Sequence, residues 1–312
     1  MNILVTGGLG HIGSRLIRDL TWHHHVDKIR VLDNFSCQRY CSLFHLPENK
    51  NFELIEGDIL NDNDLERAME GMDVVIHLAA ITDAPSTFNN PELVKLVNEV
   101  GTQKVVDMAV KKNITRFIYP STTSVYGPTD GIAREDCKLE DLKPQSPYAE
   151  TKLAGERIVL NAYQQYGLPG TVFRLGTIFG PSPGMRFHTA VNKFIFLATT
   201  NRPLTVWDSA VNLKRPYLDL KDACRVFNFA LEEKKTIGEL FNVVTINAGI
   251  GEITGAIQKY IPGLNIVYTQ SPLLNQMSYF TDDTKIRNLG FTYSGNLDES
   301  VKDTIHMLRG LL

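Results

Sequence analysis

Cysteine is scarce in this chain. Four residues, Cys37, Cys41, Cys137 and Cys224, occur among 312, and none forms a Cys-x-x-Cys pair. That excludes a disulfide framework and a cysteine zinc ribbon, and points to reduced thiols in a cytoplasmic protein. An excess of charge of either sign is also missing: 32 Lys and Arg against 35 Asp and Glu leave a net charge of −3. Such a balance gives no electrostatic footprint for nucleic acid or an anionic membrane. No apolar run reaches the ~20 residues that span a bilayer. The segment Met1–Thr6 lacks a basic leader region and passes straight into an apolar stretch, so no signal peptide is expected. The run His23-His24-His25 invites a metal reading. Adjacent residues of a helix point in different directions, so the run reads as a solvated helix end and no metal is expected.

What is present is alternation. Short β-branched runs at Ile3–Thr6, Ile29–Asp33, Phe52–Glu56, Val74–His77, Phe117–Pro120 and Thr171–Leu175 read as buried strands. Amphipathic stretches at 11–23, 62–70, 91–112 and 148–167 separate them as helices. Right-handed crossovers between such units build an α/β fold, a doubly wound parallel sheet of Rossmann type. The pattern changes near Gly180, where Pro181, Pro183 and Gly184 interrupt the chain. Residues 1–180 therefore read as a dinucleotide-binding domain, with some elements shared later in the chain. Residues 181–312 read mostly as a smaller mixed substrate domain, with helices at 187–199, 221–232 and 297–311 and strands at 204–207 and 216–220.

Thr6-Gly7-Gly8-Leu9-Gly10-His11-Ile12-Gly13 follows the first strand and opens the first helix. Glycines there permit a tight turn, a close approach of backbone to pyrophosphate and tight helix–sheet packing. Strand two ends in Asp33, an acid placed to accept hydrogen bonds from the adenosine ribose and to repel a 2′-phosphate, which favours NAD over NADP. Arg39, the nearest cation, reads as facing solvent. Further on, Tyr148 and Lys152 stand four residues apart on one helix face. A nearby cation favours phenolate and lowers a tyrosine pKa. A phenol tuned in that way exchanges a proton with a sugar hydroxyl.

Taken together these segments resemble the extended short-chain dehydrogenase/reductase superfamily, in its nucleotide-sugar epimerase/dehydratase branch. The resemblance also runs through Gly57-Asp58-Ile59, His77-Leu78-Ala79-Ala80, Asn98-Glu99-Val100-Gly101-Thr102 and Ser121-Thr122-Thr123-Ser124-Val125-Tyr126-Gly127. It continues through Arg174, Phe179-Gly180-Pro181 and Arg215-Pro216-Tyr217-Leu218-Asp219. It implies that Gly7, Gly10, His11, Ile12, Gly13, Asp33, Asn34 and Ser36 bind the cofactor. Asp58 and Ile59 flank the adenine, and Leu78, Ala79, Ala80 and Thr82 line the dinucleotide path. Lys152 also holds the nicotinamide ribose, while Thr122 meets the reacting sugar hydroxyl and Tyr148 is the acid/base. Arg215 meets the nucleotide diphosphate, and Asn98 holds structure near the active site.

The departures from the family pattern select among reactions. Its 4,6-dehydratases carry Asp-Glu after the catalytic Thr, where Thr123 and Ser124 stand here; its 3,5-epimerases carry Cys at the position of Ser124. Neither replacement supplies that acid/base. Hydride transfer alone remains, and the resemblance implies an NAD-dependent nucleotide-sugar 4-epimerase. A nucleotide-sugar 4-ketoreductase or 4-dehydrogenase is the alternative, and a non-catalytic dinucleotide sensor is the third reading. Thr177 replaces an Asn that contacts the sugar phosphate in this branch, and His11 replaces an aromatic in the glycine loop. The resemblance further implies a homodimer through the helices at 91–112 and 148–167. The partner is a nucleotide-diphosphate sugar, with no nucleic acid and no membrane.

Overall fold

A computed structural model of the chain describes residues 1–129, 131–208, 211, 213–270 and 279–311. The first half runs β1 (Asn2–Thr6), α1 (His11–Asp19), β2 (Lys28–Asp33), β3 (Asn51–Glu56), α2 (Asp62–Met69) and β4 (Val74–His77). It continues with α3 (Pro91–Lys95), a π-helical turn at Leu96–Val100, α4 (Gly101–Lys111), β5 (Arg116–Thr122), β6 (Ile132–Ala133), α5 (Pro147–Tyr166) and β7 (Gly170–Leu175). The second half holds β8 (Thr177–Phe179), α6 (Ala190–Thr199), β9 (Leu204–Trp207), β10 (Arg215–Asp219), α7 (Leu220–Glu232), β11 (Leu240–Val243) and β12 (Ile246–Ala248). It ends with α8 (Ile250–Gln258), β13 (Ile266–Thr269), β14 (Phe280–Thr281), α9 (Thr284–Asn288) and α10 (Leu297–Met307).

Seven parallel strands form the main sheet in the order β11-β7-β5-β4-β1-β2-β3. The order reverses between β1 and β4, and a doubly wound sheet opens its ligand crevice at that switch, at the carboxyl ends of the strands. β5 and β7 are buried throughout, which is why they read as unbroken apolar runs. One face of the sheet packs against α1 and α7 through Leu16, Ile17, Leu20, Val226, Phe227 and Phe241. The other packs against α2, α4 and α5 through Leu65, Val105, Val106 and Val159. A separate cluster built on Phe194, Ile195, Ile253, Ile257 and Val301 joins α6, α8 and α10. α7 and β11 thus return the later chain to the main sheet.

Local chemistry explains the helix that carries Tyr148. Ser146 caps α5 by accepting from Ala149 N at 3.2 Å, and Pro147 occupies its first turn. Gly167 ends it at φ 72°, with its N–H on Tyr163 O at 2.9 Å. α1 stops at Asp19, earlier than the expected 23, because the chain tightens into a 3₁₀ turn at Leu20–Trp22 and then extends at His23. No described helix is long and apolar enough to cross a membrane.

Candidate active site

The crevice at the strand ends is a cleft of ≈ 800 Å³, within the range of small-molecule sites. The glycine turn forms one wall. Gly7 adopts φ +64°, and a Cβ there would lie 2.6 Å from Ala79 Cα. A Cβ at Gly13 would lie 2.6 Å from Gly8 Cα, so the start of α1 presses directly on the turn. Gly10 by contrast is open toward the cleft, its nearest neighbours for a Cβ being Gly7 O at 3.2 Å and Arg39 at 3.8 Å.

Asp33 accepts from Leu9 N at 3.2 Å and from Phe35 N at 3.0 Å, one bond to each carboxylate oxygen. Burial raises its pKa, against those bonds and the Arg39 charge. Each oxygen keeps a lone pair for a ribose hydroxyl. Asn34 Nδ2 donates to Asp58 at 3.0 Å and joins the loops after β2 and β3. Ser36, Ile59, Leu78, Ala79, Ala80 and Thr82 also line the cleft, as do Gly7, Gly10, His11, Ile12 and Gly13.

At the other end stand Thr122, Tyr148, Lys152 and Thr177. Asn98 fixes this corner: it accepts from Ile81 N at 2.8 Å and donates to Ile81 O at 2.9 Å and to Thr151 Oγ1 at 3.1 Å. The loop after β4 is thereby clamped to α5. Below lies a buried polar chain in which Thr6 Oγ1 and Thr102 Oγ1 bracket His77 at 2.7 and 3.0 Å. Burial pushes His77 down to about 3, so its ring is neutral at pH 7.

Lys152 is buried, with its ammonium 4.4 Å from the Tyr119 ring centroid. Burial lowers its pKa to about 7, and Glu156, one helical turn on, opposes the shift. Glu156 is itself committed: Arg174 donates to both of its oxygens at 2.9 and 2.7 Å, and Ser121 Oγ donates to one of them.

The sequence named Lys152 as the cation that lowers the Tyr148 pKa. In the structure burial dominates and raises that pKa, and the opposing cation is Arg186, aided by the Thr122 hydroxyl. Lys152 sits over the Tyr119 ring instead, and burial lowers its own pKa to about 7.

One further expectation changes. Arg39 is half-buried on the cleft wall rather than turned to solvent. His11 donates through Nε2 to Gly180 O at 2.8 Å, which ties α1 to the loop after β8. Burial lowers its pKa to about 4.

Arg215 does not line the cleft. It extends from β10 with its guanidinium 5.2 Å from the Tyr279 ring centroid. Ser124, from the segment that carries Thr122, lines it too, as do Arg186, His188 and Asp83, which no motif marked. The signal for Arg186 was its place in the Pro- and Gly-containing loop Ser182–His188, which the sequence offers as a loop beside the sugar. The histidine run lies away from the cleft, beyond α1. His23 Nε2 is 3.2 Å from Glu232, and ligand atoms of exposed His24, His25 and Glu232 lie within 4.8 Å of one another.

A family model described as the NAD dependent epimerase/dehydratase family matches residues 3–244. The chain belongs to that family. NAD is its cofactor, and the open glycine turn with the oriented Asp33 carboxylate fits that group.

A trifunctional UDP-glucose 4,6-dehydratase/UDP-4-keto-6-deoxy-D-glucose 3,5-epimerase/UDP-4-keto-L-rhamnose-reductase of Arabidopsis thaliana is 31% identical over 97% of this chain and 46% of its own. The chain thus spans about half the length of the plant relatives it matches. An uncharacterized UDP-glucose epimerase of Bacillus subtilis (strain 168) is 30% identical over 78% of this chain and 76% of its own. The UDP-glucuronic acid 4-epimerase from Bacillus cereus, solved with UDP-glucuronic acid and NAD, superposes with a TM-score of 0.89. The two are 27% identical, and the match covers 100% of both chains.

Proposed function

We propose that the chain is an NAD-dependent nucleotide-sugar 4-epimerase. The observation that carries this reading is the reacting corner itself: Thr122, Tyr148 and Lys152 line one end of the cleft, and the residues after Thr122 are Thr123 and Ser124 rather than a carboxylate pair. Thr123 is buried and accepts from the Tyr279 hydroxyl at 3.4 Å, so it serves packing. The carboxylates on the cleft wall are Asp33 and Asp58 at the adenosine end and Asp83 beside Arg186. Dehydration at C5–C6 needs an acid/base that this corner lacks, whereas oxidation and reduction at a carbinol need only one phenol.

Tyr148 Oη takes the proton of the sugar 4-hydroxyl and later returns it. Thr122 Oγ1 holds that hydroxyl in line, and Lys152 Nζ orients the ribose beside it. NAD, which the glycine turn and Asp33 would hold, would supply a reversible hydride acceptor for C4, so that the hydride could leave one face of the sugar and return to the other. The chain's own contribution between those events is to keep the ketone in the cleft, by contacts to the distant nucleotide, while the sugar turns. Arg215 is the candidate contact for a diphosphate that extends past Thr177 toward β10. Residues 1–180 with the returning α7 and β11 form the cofactor half in this reading, and most of 181–312 forms the sugar half.

We also infer a dimer in which the helical layer from α3 to α4 and α5 packs against a second copy. Exposed Leu96 and Val100, one turn apart on that layer, support it. Light scattering at twice the 35.0 kDa chain mass is the expected result, and a monomer mass sinks the inference.

The test of the activity is Tyr148→Phe. The variant should keep its NAD and lose about 100-fold or more in turnover of UDP-sugars. Unchanged turnover would overturn the assignment.

A further inference from the structure

Arg186 is a guanidinium with no carboxylate bonded to it, although Asp83 is near enough to favour its charge. Among the described residues it forms no ion pair, although it is partly buried and burial lowers its pKa. Its Nη1 donates to Thr82 Oγ1, on the loop after β4. Its Nε is buried and has no partner. The edge formed by Nε and Nη2 is the edge that grips a carboxylate side-on with two parallel bonds. A buried donor left unmade is costly, so this edge is built for something that arrives.

The backbone that carries it is fixed beforehand. Ser182 Oγ donates to His11 O at 2.9 Å, Gly184 N donates to Ser14 Oγ at 2.9 Å, and Asn192 Nδ2 donates to Arg186 O at 3.0 Å. Asn192 is fully buried and also accepts from Gly180 N at 3.2 Å. The loop is thus latched to the start of α1 and to α6, and Arg186 is presented rather than left to search.

Its position says what it meets. Arg39 stands beside Gly10, at the cofactor phosphates' end, and Arg215 stands on β10. Arg186 lines the cleft together with Tyr148, and its charge acts on that phenol. In a hexopyranose the carbon next to C4 bears the exocyclic C6 group through C5. An anion at C6 therefore lies a few bonds from the hydroxyl that Tyr148 handles.

We propose that Arg186 and Thr82 form a carboxylate subsite, so that the substrate is a nucleotide-diphosphate uronic acid in preference to a neutral hexose. The proposal rests on the epimerase reading of the cleft. Thr82 orients the guanidinium through Nη1, and the free edge takes the C6 carboxylate. Asp83, on the same wall, favours the charged form of the guanidinium.

The experiment is calorimetric binding of UDP-glucuronic acid and UDP-glucose to the NAD-loaded protein, in the Tyr148→Phe background so that no turnover occurs. The uronic acid should bind about 10- to 100-fold more tightly, the usual worth of a charge-assisted pair. Adding Arg186→Met should collapse that preference to within about threefold while NAD content stays unchanged, and Arg186→Lys, which keeps the charge but not the fork, should give an intermediate value. Equal binding of the two sugars overturns the subsite and leaves the epimerase reading standing. Loss of NAD and of both sugars alike in Arg186→Met, with the protein still folded by circular dichroism, overturns it in favour of a cofactor contact. Failure of both sugars to bind the NAD-loaded parent overturns the reading of the cleft, and the subsite with it.

Discussion

Glu156→Gln strips the counter-charge from a buried guanidinium. Arg174 and Glu156 side chains are 5% and 3% exposed, and their two bonds measure 2.9 and 2.7 Å. A glutamine keeps one acceptor and turns an amide N–H₂ against an arginine N–H. Arg174 then keeps one bond to a neutral amide oxygen and the Tyr126 ring, 4.7 Å away, and its Nη1 already lacks a partner. Breaking a buried pair from one side costs about 3–5 kcal/mol, because a desolvated charge is left alone. That is a large share of the ~5–15 kcal/mol that a native protein has. Equilibrium urea unfolding of wild type, Glu156→Gln, Arg174→Met and the double variant Glu156→Leu/Arg174→Met measures it. Each single variant should lose several kcal/mol, and the double should lose less than their sum, because it buries no charge. Additive losses, or a Glu156→Gln cost below about 1 kcal/mol, would refute the reasoning. The same variant carries a functional mark. Glu156 holds the Lys152 pKa up against burial, so its loss should move that pKa below its present value of about 7.

Lys152 titrates near 10.5 when unfolded and at about 7 when folded. The unfolded chain therefore binds the extra proton between those values, and this group's contribution to stability rises as pH rises from 7 toward 10.5. Between pH 7 and 9 wild type should gain on the order of 2 kcal/mol relative to Lys152→Met in urea titrations; a constant difference contradicts the buried ammonium. His11 and His77 have folded pKa values of about 4 and about 3, below the unfolded value of 6.5. Their neutral rings stabilise fully above pH 6.5, and stability should fall by up to about 1.4 kcal/mol per pH unit for each as the pH drops from 6.5 toward 4. His77→Asn should flatten the measured slope, and an unchanged slope counts against it. Asp33→Asn removes the acceptor charge at the ribose, so NAD content on purification should fall and the discrimination against NADP should narrow; unchanged content and selectivity by mass spectrometry would place the ribose elsewhere.

Strands β1 to β5 and β7 were legible because a sheet covered on both faces demands runs of buried β-branched and aromatic residues. The glycine turn and the Tyr148–Lys152 pair were legible because their spacing is local. β11 was not, since Leu240–Val243 is a four-residue run that becomes a sheet strand only by pairing with β7. The π-helical turn at Leu96–Val100 was read as uninterrupted helix. Its irregularity coincides with Asn98, which reaches out to the loop after β4, and that contact lies outside any local pattern. Arg186 was legible only as part of its loop, for the same reason. That stretch reads as a Pro- and Gly-containing loop beside the sugar, and the hydroxyl that fixes it, Ser14, belongs to the first helix. The Tyr148 pKa was misjudged because charge spacing is readable in a sequence and desolvation is not.

The most direct test of the central claim follows the C4 hydrogen. UDP-glucuronic acid and UDP-glucose, each deuterated at C4, are incubated with the purified NAD-loaded protein in ordinary water and followed by NMR. The account predicts the 4-epimer of the accepted sugar with deuterium kept at C4, no accumulated ketone, and no such product from Tyr148→Phe. A 4-keto or 4,6-dehydrated product, or an epimer that has lost its C4 deuterium to solvent, would contradict it.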